Sequence, residues 1–286
     1  MWQEIIKING PYNFDSVIER HSLDPMKVLS LEERFIKVPI VMGTTSQVID
    51  VKAMGTTESP VFQLSGDQDQ QAAVARIVEI FQWNTSLLPV HNHFQKTDLK
   101  QIFNDHYGTP LVLDFDLFGT ILKCIIHQQL NMSFAHTLNE RFIKTFGYEI
   151  NDVWFYPQPE TVASLKVEQL RELQFSGRKA EYVIQIAHEI VHNHLNLEKL
   201  KTSSEEEIFQ TLLPIRGIGK WTIENFLMFG LGRHNLFPMA DIGIQNAIKK
   251  LYNLEKKPTF EQMEVYKKDW EPYLSFASLY LWRSIE

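Results

Sequence analysis

The stretch Leu213-Pro214-Ile215-Arg216-Gly217-Ile218-Gly219-Lys220-Trp221-Thr222 constrains this chain more than any other, because it sets two glycines between two helix-forming segments. Ser204 with Glu207 three residues on forms a capping-box pattern that opens the first helix, and Pro214 and Gly217 end it in a tight turn. Gly219 then releases the chain into a second helix. With glycines at both ends of the turn, the first N–H groups of that helix have no side-chain cover, and the helix dipole helps them face a phosphate oxygen. Such a hairpin holds a nucleic-acid strand without reading its bases. The expected backbone contacts are Arg216, Gly217, Ile218, Gly219, Lys220 and Thr222.

About twenty residues later comes Asp241, in Pro238-Met239-Ala240-Asp241-Ile242. An aspartate just before an apolar helix such as Ile242 to Leu251 is ordinarily an N-cap, favoured there by the dipole. Placed after a hairpin that grips a strand, the same carboxylate also comes close to a target sugar, so one residue can be both cap and catalyst.

With these residues the chain resembles the helix-hairpin-helix (HhH-GPD) DNA glycosylases, in which such a hairpin is followed by a Gly/Pro-rich loop and an aspartate. The segment from Phe115-Asp116-Leu117-Phe118 to His127-Gln128-Gln129-Leu130 is similar to the helix that opens the family's catalytic domain and ends in its glutamine-containing turn. Pro157-Gln158-Pro159-Glu160 and Phe175-Ser176-Gly177-Arg178-Lys179-Ala180 are similar to two further landmarks. The layout resembles the bacterial 3-methyladenine DNA glycosylase II type, most specifically over residues 112 to 286. The resemblance implies an α+β protein, with a small antiparallel sheet domain over residues 1–110 and a mostly α-helical domain over 111–286.

The chemistry implied is cleavage of an N-glycosidic bond. Its oxocarbenium-like transition state carries positive charge on the sugar, which Asp241 would stabilise, or Asp241 would orient or deprotonate the attacking water. Family members that also nick DNA carry a lysine at the second position after the hairpin's last glycine, and here that position is Trp221. Lys220, one residue earlier, is turned by about 100° on a helix. The resemblance therefore implies a monofunctional enzyme that leaves an abasic site.

Alkylated purines such as 3-methyladenine and 7-methylguanine are cationic and favour electron-rich faces once flipped from the duplex. Trp221 and Trp282 are the candidate walls of the base pocket, although a tryptophan at helical spacing is more often part of a core. Asn225 departs from the type, which has a pocket aromatic there, and an amide makes the pocket more polar. The turn Gln128-Gln129-Leu130-Asn131 would supply the side chain that fills the emptied stack, with Gln129 or Leu130 as the wedge. No cofactor is required by such a reaction, and a monovalent cation on the hairpin carbonyls is compatible with the resemblance. The expected partner is duplex DNA containing damaged bases, bound by a monomer. A binder that senses damage without catalysis, or a glycosylase for oxidised or deaminated purines, are the alternatives.

Composition bears on these expectations at three points. The single cysteine, Cys124, cannot form an internal disulfide and excludes a four-cysteine iron–sulfur cluster. A reducing, intracellular setting is expected, without a secretory segment or an apolar run of about eighteen residues for a membrane span. The net charge of −7 opposes DNA binding, yet Pro214 to Lys250 carries Arg216, Lys220, Arg233, Lys249 and Lys250 against Glu224 and Asp241, a local excess of +3. Arg178 and Lys179 are further candidates for that basic face. The histidines show no metal-ligand spacing beside a carboxylate, so no zinc site is read.

Period-two patterns predict strands near Trp2 to Ile8, Phe35 to Met42, Gln47 to Ala53 and Val61 to Leu64. A helix is expected from Asp67 to Trp83, then a solvated connection holding Pro89, His91 and His93. Leu117, Phe118, Ile121, Leu122, Ile125 and Ile126 form one apolar helical stripe, and shorter helices follow at 137–147, 160–173, 178–194 and 204–213.

Overall fold

The computed structural model describes residues 1–43 and 45–285. Five antiparallel strands, β1 (Trp2–Lys7), β2 (Leu29–Ser30), β3 (Phe35–Met42), β4 (Thr45–Ala53) and β5 (Val61–Gly66), form one sheet in the order β1-β5-β4-β3-β2. Val51 pairs with Ile36 on one side and Leu64 on the other, so the alternation of the sequence puts Ile36, Val38, Ile40, Ile49, Val51, Phe62 and Leu64 on a single buried face. Between β1 and β2 lies helix α1 (Phe14–Ser22), capped by Asn13 and not anticipated from periodicity. Helix α2 (Gln70–Ile80) packs on β3 and β5. It begins later than the pattern suggested, because Asp69 takes the left-handed backbone and caps the Ala72 N–H.

The expected connection near Pro89 is instead helix α3 (Leu88–Phe94), with the proline in its first turn, where no N–H is needed. Its histidines are half-buried rather than free in solvent: the His91 ring packs edge-on against Tyr107, and the His93 ring meets Phe94 and Tyr273 while its Nε2 lies 3.0 Å from the Asp269 carbonyl. After α4 (Lys100–Asp105) comes α5 (Leu117–His127), whose whole predicted stripe is buried. Around α5 pack α6 (Met132–Phe146), α9 (Gly177–Val191) and α12 (Lys220–Phe229).

Between α6 and α9 a second hairpin, β6 (Tyr148–Ile150) and β7 (Val153–Phe155), turns through Asn151 and Asp152, both left-handed. The single helix expected over 160–173 is two, α7 (Pro159–Ala163) and α8 (Val167–Glu172), since Ser164 closes the first and the Gln169 side chain folds back onto the Lys166 N–H to open the second. Helices α10 (Leu197–Leu200), α11 (Glu205–Leu212), α13 (Ile242–Leu251), α14 (Phe260–Tyr266) and α15 (Leu274–Arg283) complete the helical part. Helix α15 returns to the N-terminal half, where Arg283 donates to the Ser16 carbonyl and to the Glu19 carboxylate at 3.0 Å.

Removing buried methylenes from α5 leaves a cavity that its three neighbours cannot close. Ile125→Ala, at a site with no exposure, is expected to lower unfolding free energy by about 2–5 kcal/mol in urea melts, whereas Leu213→Ala, 54% exposed, stays within about 0.5 kcal/mol.

Candidate active site

The hairpin forms as its residues require. Ser204 and Glu207 close a reciprocal capping box at the start of α11, with the Glu207 carboxylate accepting the Ser204 N–H at 2.7 Å. After the helix, Ile215 N–H reaches Leu212 O and Ile218 N–H reaches Ile215 O, both at 3.0 Å, while Gly217 takes a φ of +93°. A Cβ at Gly217 would lie 2.2 Å from the Tyr182 ring, so both backbone and space demand glycine there. Gly219 is the N-cap of α12 and offers no side chain to its first turn. The opening N–H groups of α12 therefore lack an internal cap, and a Cβ at Gly219 would meet nothing within 4 Å.

Helix α12 aims its second residue inward. Trp221 donates its indole N–H to one oxygen of Asp241 at 3.0 Å, and Trp282, from α15, donates to the other at 2.8 Å. The oxygen that Trp282 reaches also accepts the Ile244 N–H at 3.0 Å, making Asp241 the N-cap of α13. One carboxylate thus gathers three donors from three helices. The loop before it is fixed from below: Ser275 accepts the Leu236 N–H and donates to the Arg233 carbonyl, Ser278 donates to the Leu236 carbonyl, and the Gln245 amide holds the Met239 carbonyl. Gly243 lies against the Trp282 ring, where a Cβ would come within 2.9 Å.

Asn225 sits one turn beyond Trp221, buried, with its amide nitrogen given to the Trp221 carbonyl at 2.8 Å. Phe229 continues that wall, 5.9 Å from Trp282 and covered on α1's side by the Arg20 guanidinium at 4.4 Å from the ring centre. Lys220 points the other way, exposed, with Nζ 3.7 Å from Glu224. Burial lifts Glu224 to about 7 despite the nearby Lys220 and Lys267 ammonium groups.

The expected contact residues divide into two groups. Gln129 is exposed at the tip of its turn with φ +56°, beside half-buried Leu130. Gln128 is turned inward, its amide donating to Gly217 O at 2.9 Å and to Thr222 Oγ1 at 2.8 Å. That tie uses one acceptor site of the Gly217 carbonyl and one of the Thr222 hydroxyl. Arg216 pairs with Glu181 at 3.1 Å and lies over Tyr182.

Two of the expected basic groups do not belong to an open face. Arg233 donates to the carbonyls of Lys201 and Ser203, and Lys179 donates to three carbonyls at the end of α5. Among the described residues no three His, Cys, Asp or Glu side chains gather to hold a metal, and no helix is long and apolar enough to cross a membrane.

A fold in which a capped hairpin leads to an aspartate at a helix N-terminus is the architecture of a base-excision repair family. Residues 122–272 match the family described as HhH-GPD superfamily base excision DNA repair protein, and the chain belongs to it. It is 50% identical, over the whole length of both chains, to the Bacillus subtilis (strain 168) protein named "Putative DNA-3-methyladenine glycosylase YfjP". The fold is similar to that of a 3-methyladenine DNA-glycosylase from Archaeoglobus fulgidus, with a TM-score of 0.86, 25% identity, and coverage of 99% of this chain and 97% of that one. It is also similar to Schizosaccharomyces pombe Mag1 in complex with abasic DNA, with a TM-score of 0.62, 25% identity, and coverage of 68% and 96%.

An acid whose folded pKa lies above its ordinary 4.5 stabilises the fold while protonated and loses that contribution as pH rises through about 7. That loss runs from about 4.5 to about 7, so Glu224→Gln is expected to lie closest to wild type in melting temperature at pH 4 and to exceed it by roughly 2–6 °C at pH 8. A difference that does not change with pH would contradict the burial of this carboxylate.

Proposed function

We propose that the protein is a monofunctional DNA glycosylase that removes alkylated bases, of the 3-methyladenine and 7-methylguanine kind, from duplex DNA and leaves an abasic site. The observation that carries this reading is the Asp241 carboxylate held by Trp221, Trp282 and the Ile244 N–H at the mouth of α13. The names of its relatives support alkylated bases as the substrate class, and the abasic-DNA complex of Mag1 supports DNA as the partner.

In this mechanism the uncapped N–H groups of α12 take a phosphate, with Lys220 and Arg216 screening neighbouring ones. The open space at Gly219 lets the strand approach the backbone closely. The flipped base enters beside Trp221 and Trp282, whose π faces favour a cation. As the C1′–N bond breaks, the pair of electrons leaves with the base, which departs neutral, and the positive charge that builds on the sugar is stabilised by Asp241. Water then adds at C1′ and passes its proton to the Asp241 carboxylate or to bulk water. The indole donors fix where the carboxylate stands before the reaction begins, so little reorganisation is needed.

Lys220 is turned outward beside Glu224, away from this position. Attack by water rather than by an amine follows, and with it the absence of strand cleavage. The cationic base is a good leaving group, so no organic cofactor is needed; the hairpin carbonyls would hold a sodium or potassium ion, which would supply only positive charge near the phosphate. One chain carries every group required, and the protein acts as a monomer inside the cell. The Asn225 amide gives one N–H to the Trp221 carbonyl and keeps its second N–H and its carbonyl oxygen for a base edge, a mixed donor and acceptor set that suits oxidised or deaminated purines as a second substrate class.

The test is base release from methylated duplex DNA, with abasic sites and strand breaks counted together. Wild type is expected to free 3-methyladenine or 7-methylguanine without breaks, and Asp241→Asn to lower release at least about 100-fold while still binding DNA. Breaks trapped by borohydride, or salt-sensitive binding with no release of any base by wild type, would overturn the proposal.

A further inference from the structure

The turn that carries Gln129 is held by a residue far away in sequence. The last carbonyls of α5 lack the i+4 partners of a continuing helix, Ile125 O receiving only a long bond from the Gln128 N–H at 3.4 Å, and they attract a cation. Lys179, in the first turn of α9, brings its ammonium to three of them, donating to Ile125 O at 3.0 Å, Ile126 O at 2.6 Å and Gln128 O at 3.0 Å. An ammonium has three donors, so all of Lys179 is used inside the protein. Burial lowers this amine to about 8, as displacement of its water requires.

On the far side of the same turn the Gln128 amide is bonded to Gly217 O and Thr222 Oγ1, and the Asn131 side chain caps α6. Gln129 lies between these fixed points, exposed and in the left-handed backbone that a side-chain-bearing residue adopts only when its surroundings impose it. Lys179 fixes the floor of the turn, and Gln128 fixes its distance from the hairpin.

We propose that Lys179 is the positioning residue that sets the wedge: by clamping the end of α5 it presents Gln129 to the DNA stack at the height required to replace an extruded base. This rests on the glycosylase reading of the turn. It assigns Lys179 to base extrusion, with no contact to substrate and no part in bond cleavage.

The experiment uses Lys179→Met, which keeps the stem and removes all three donors, and Lys179→Gln, which keeps one donor group. The first readout needs no catalysis: a duplex carries 2-aminopurine next to a tetrahydrofuran abasic analogue, and insertion of the wedge unstacks the reporter and raises its fluorescence. Wild type is expected to give the rise, Gln129→Ala to lose it, and Lys179→Met to bind within about threefold of wild type yet lose most of the rise, with Lys179→Gln between them. The second readout is release of methylated bases, which Lys179→Met should slow at least about tenfold in duplex and less than about threefold in a single strand.

A full fluorescence rise in a folded Lys179 variant, equal slowing on duplex and single strand, or effects of Lys179→Met and Gln129→Ala that multiply would overturn the assignment. So would DNA binding by wild type with no rise at all. A normal rise from a wild-type protein that frees no methylated base would reject the proposed activity and leave the role of Lys179 standing.

Discussion

Everything distinctive in this structure converges on one carboxylate with three hydrogen-bond donors. Asp241 receives an indole N–H from Trp221 in α12, another from Trp282 in α15, and the Ile244 N–H of its own helix. A lone N-cap aspartate needs only the last of these. The two indoles place the hairpin helix and the C-terminal helix in register with the mouth of α13, so the position of the carboxylate and the packing of three helices are one constraint. A shift of any of the three would leave a charged group short of donors, at a cost well above that of an ordinary surface rearrangement.

Around this centre the polar groups that matter most face the protein's own backbone. Lys179 and Gln128 tie the end of α5 to α9 and to the hairpin, Ser275 and Ser278 hold the loop before Asp241, and Arg283 ties α15 to α1 in the N-terminal half. Those side chains are spent on geometry. What remains open to an outside partner is the uncapped start of α12, the exposed Lys220, Arg216 and Gln129, and the aromatic wall of Trp221, Trp282 and Phe229. That division explains how a chain with net charge −7 can carry a DNA-facing surface: the surface uses amide dipoles and a few lysines and arginines rather than a broad basic patch.

Much of this could be read from the sequence. The alternation of β3, β4 and β5 and the stripe of α5 are periodic, and periodicity reports which face is buried. The capping box at Ser204 and Glu207 and the hairpin glycines are local rules, and the structure follows them. Other features lay beyond such rules. Lys179 looked like a member of a basic face because the carbonyls it serves lie more than fifty residues away in sequence. His91 and His93 stand in a polar run, and the rings that half-cover them, Tyr107 and Tyr273, come from other elements. The bend between α7 and α8 and the left-handed entry to α2 depend on single side chains capping single N–H groups, which no period reveals. The Asn151-Asp152 turn, the Asn13 cap of α1 and the Thr259–Gln262 capping box of α14 are local signals of the same kind that a search for periodicity misses.

The central claim is that Asp241 is placed to stabilise positive charge on the sugar. It is tested most directly by comparing affinity for two duplexes that differ at one site, one carrying a cationic pyrrolidine abasic analogue and the other its neutral tetrahydrofuran counterpart. Wild type is predicted to bind the cationic duplex at least about tenfold more tightly, and Asp241→Asn to lose that preference while binding the neutral duplex as before. Equal affinity of wild type for both duplexes, or a preference that survives the substitution, would contradict the account.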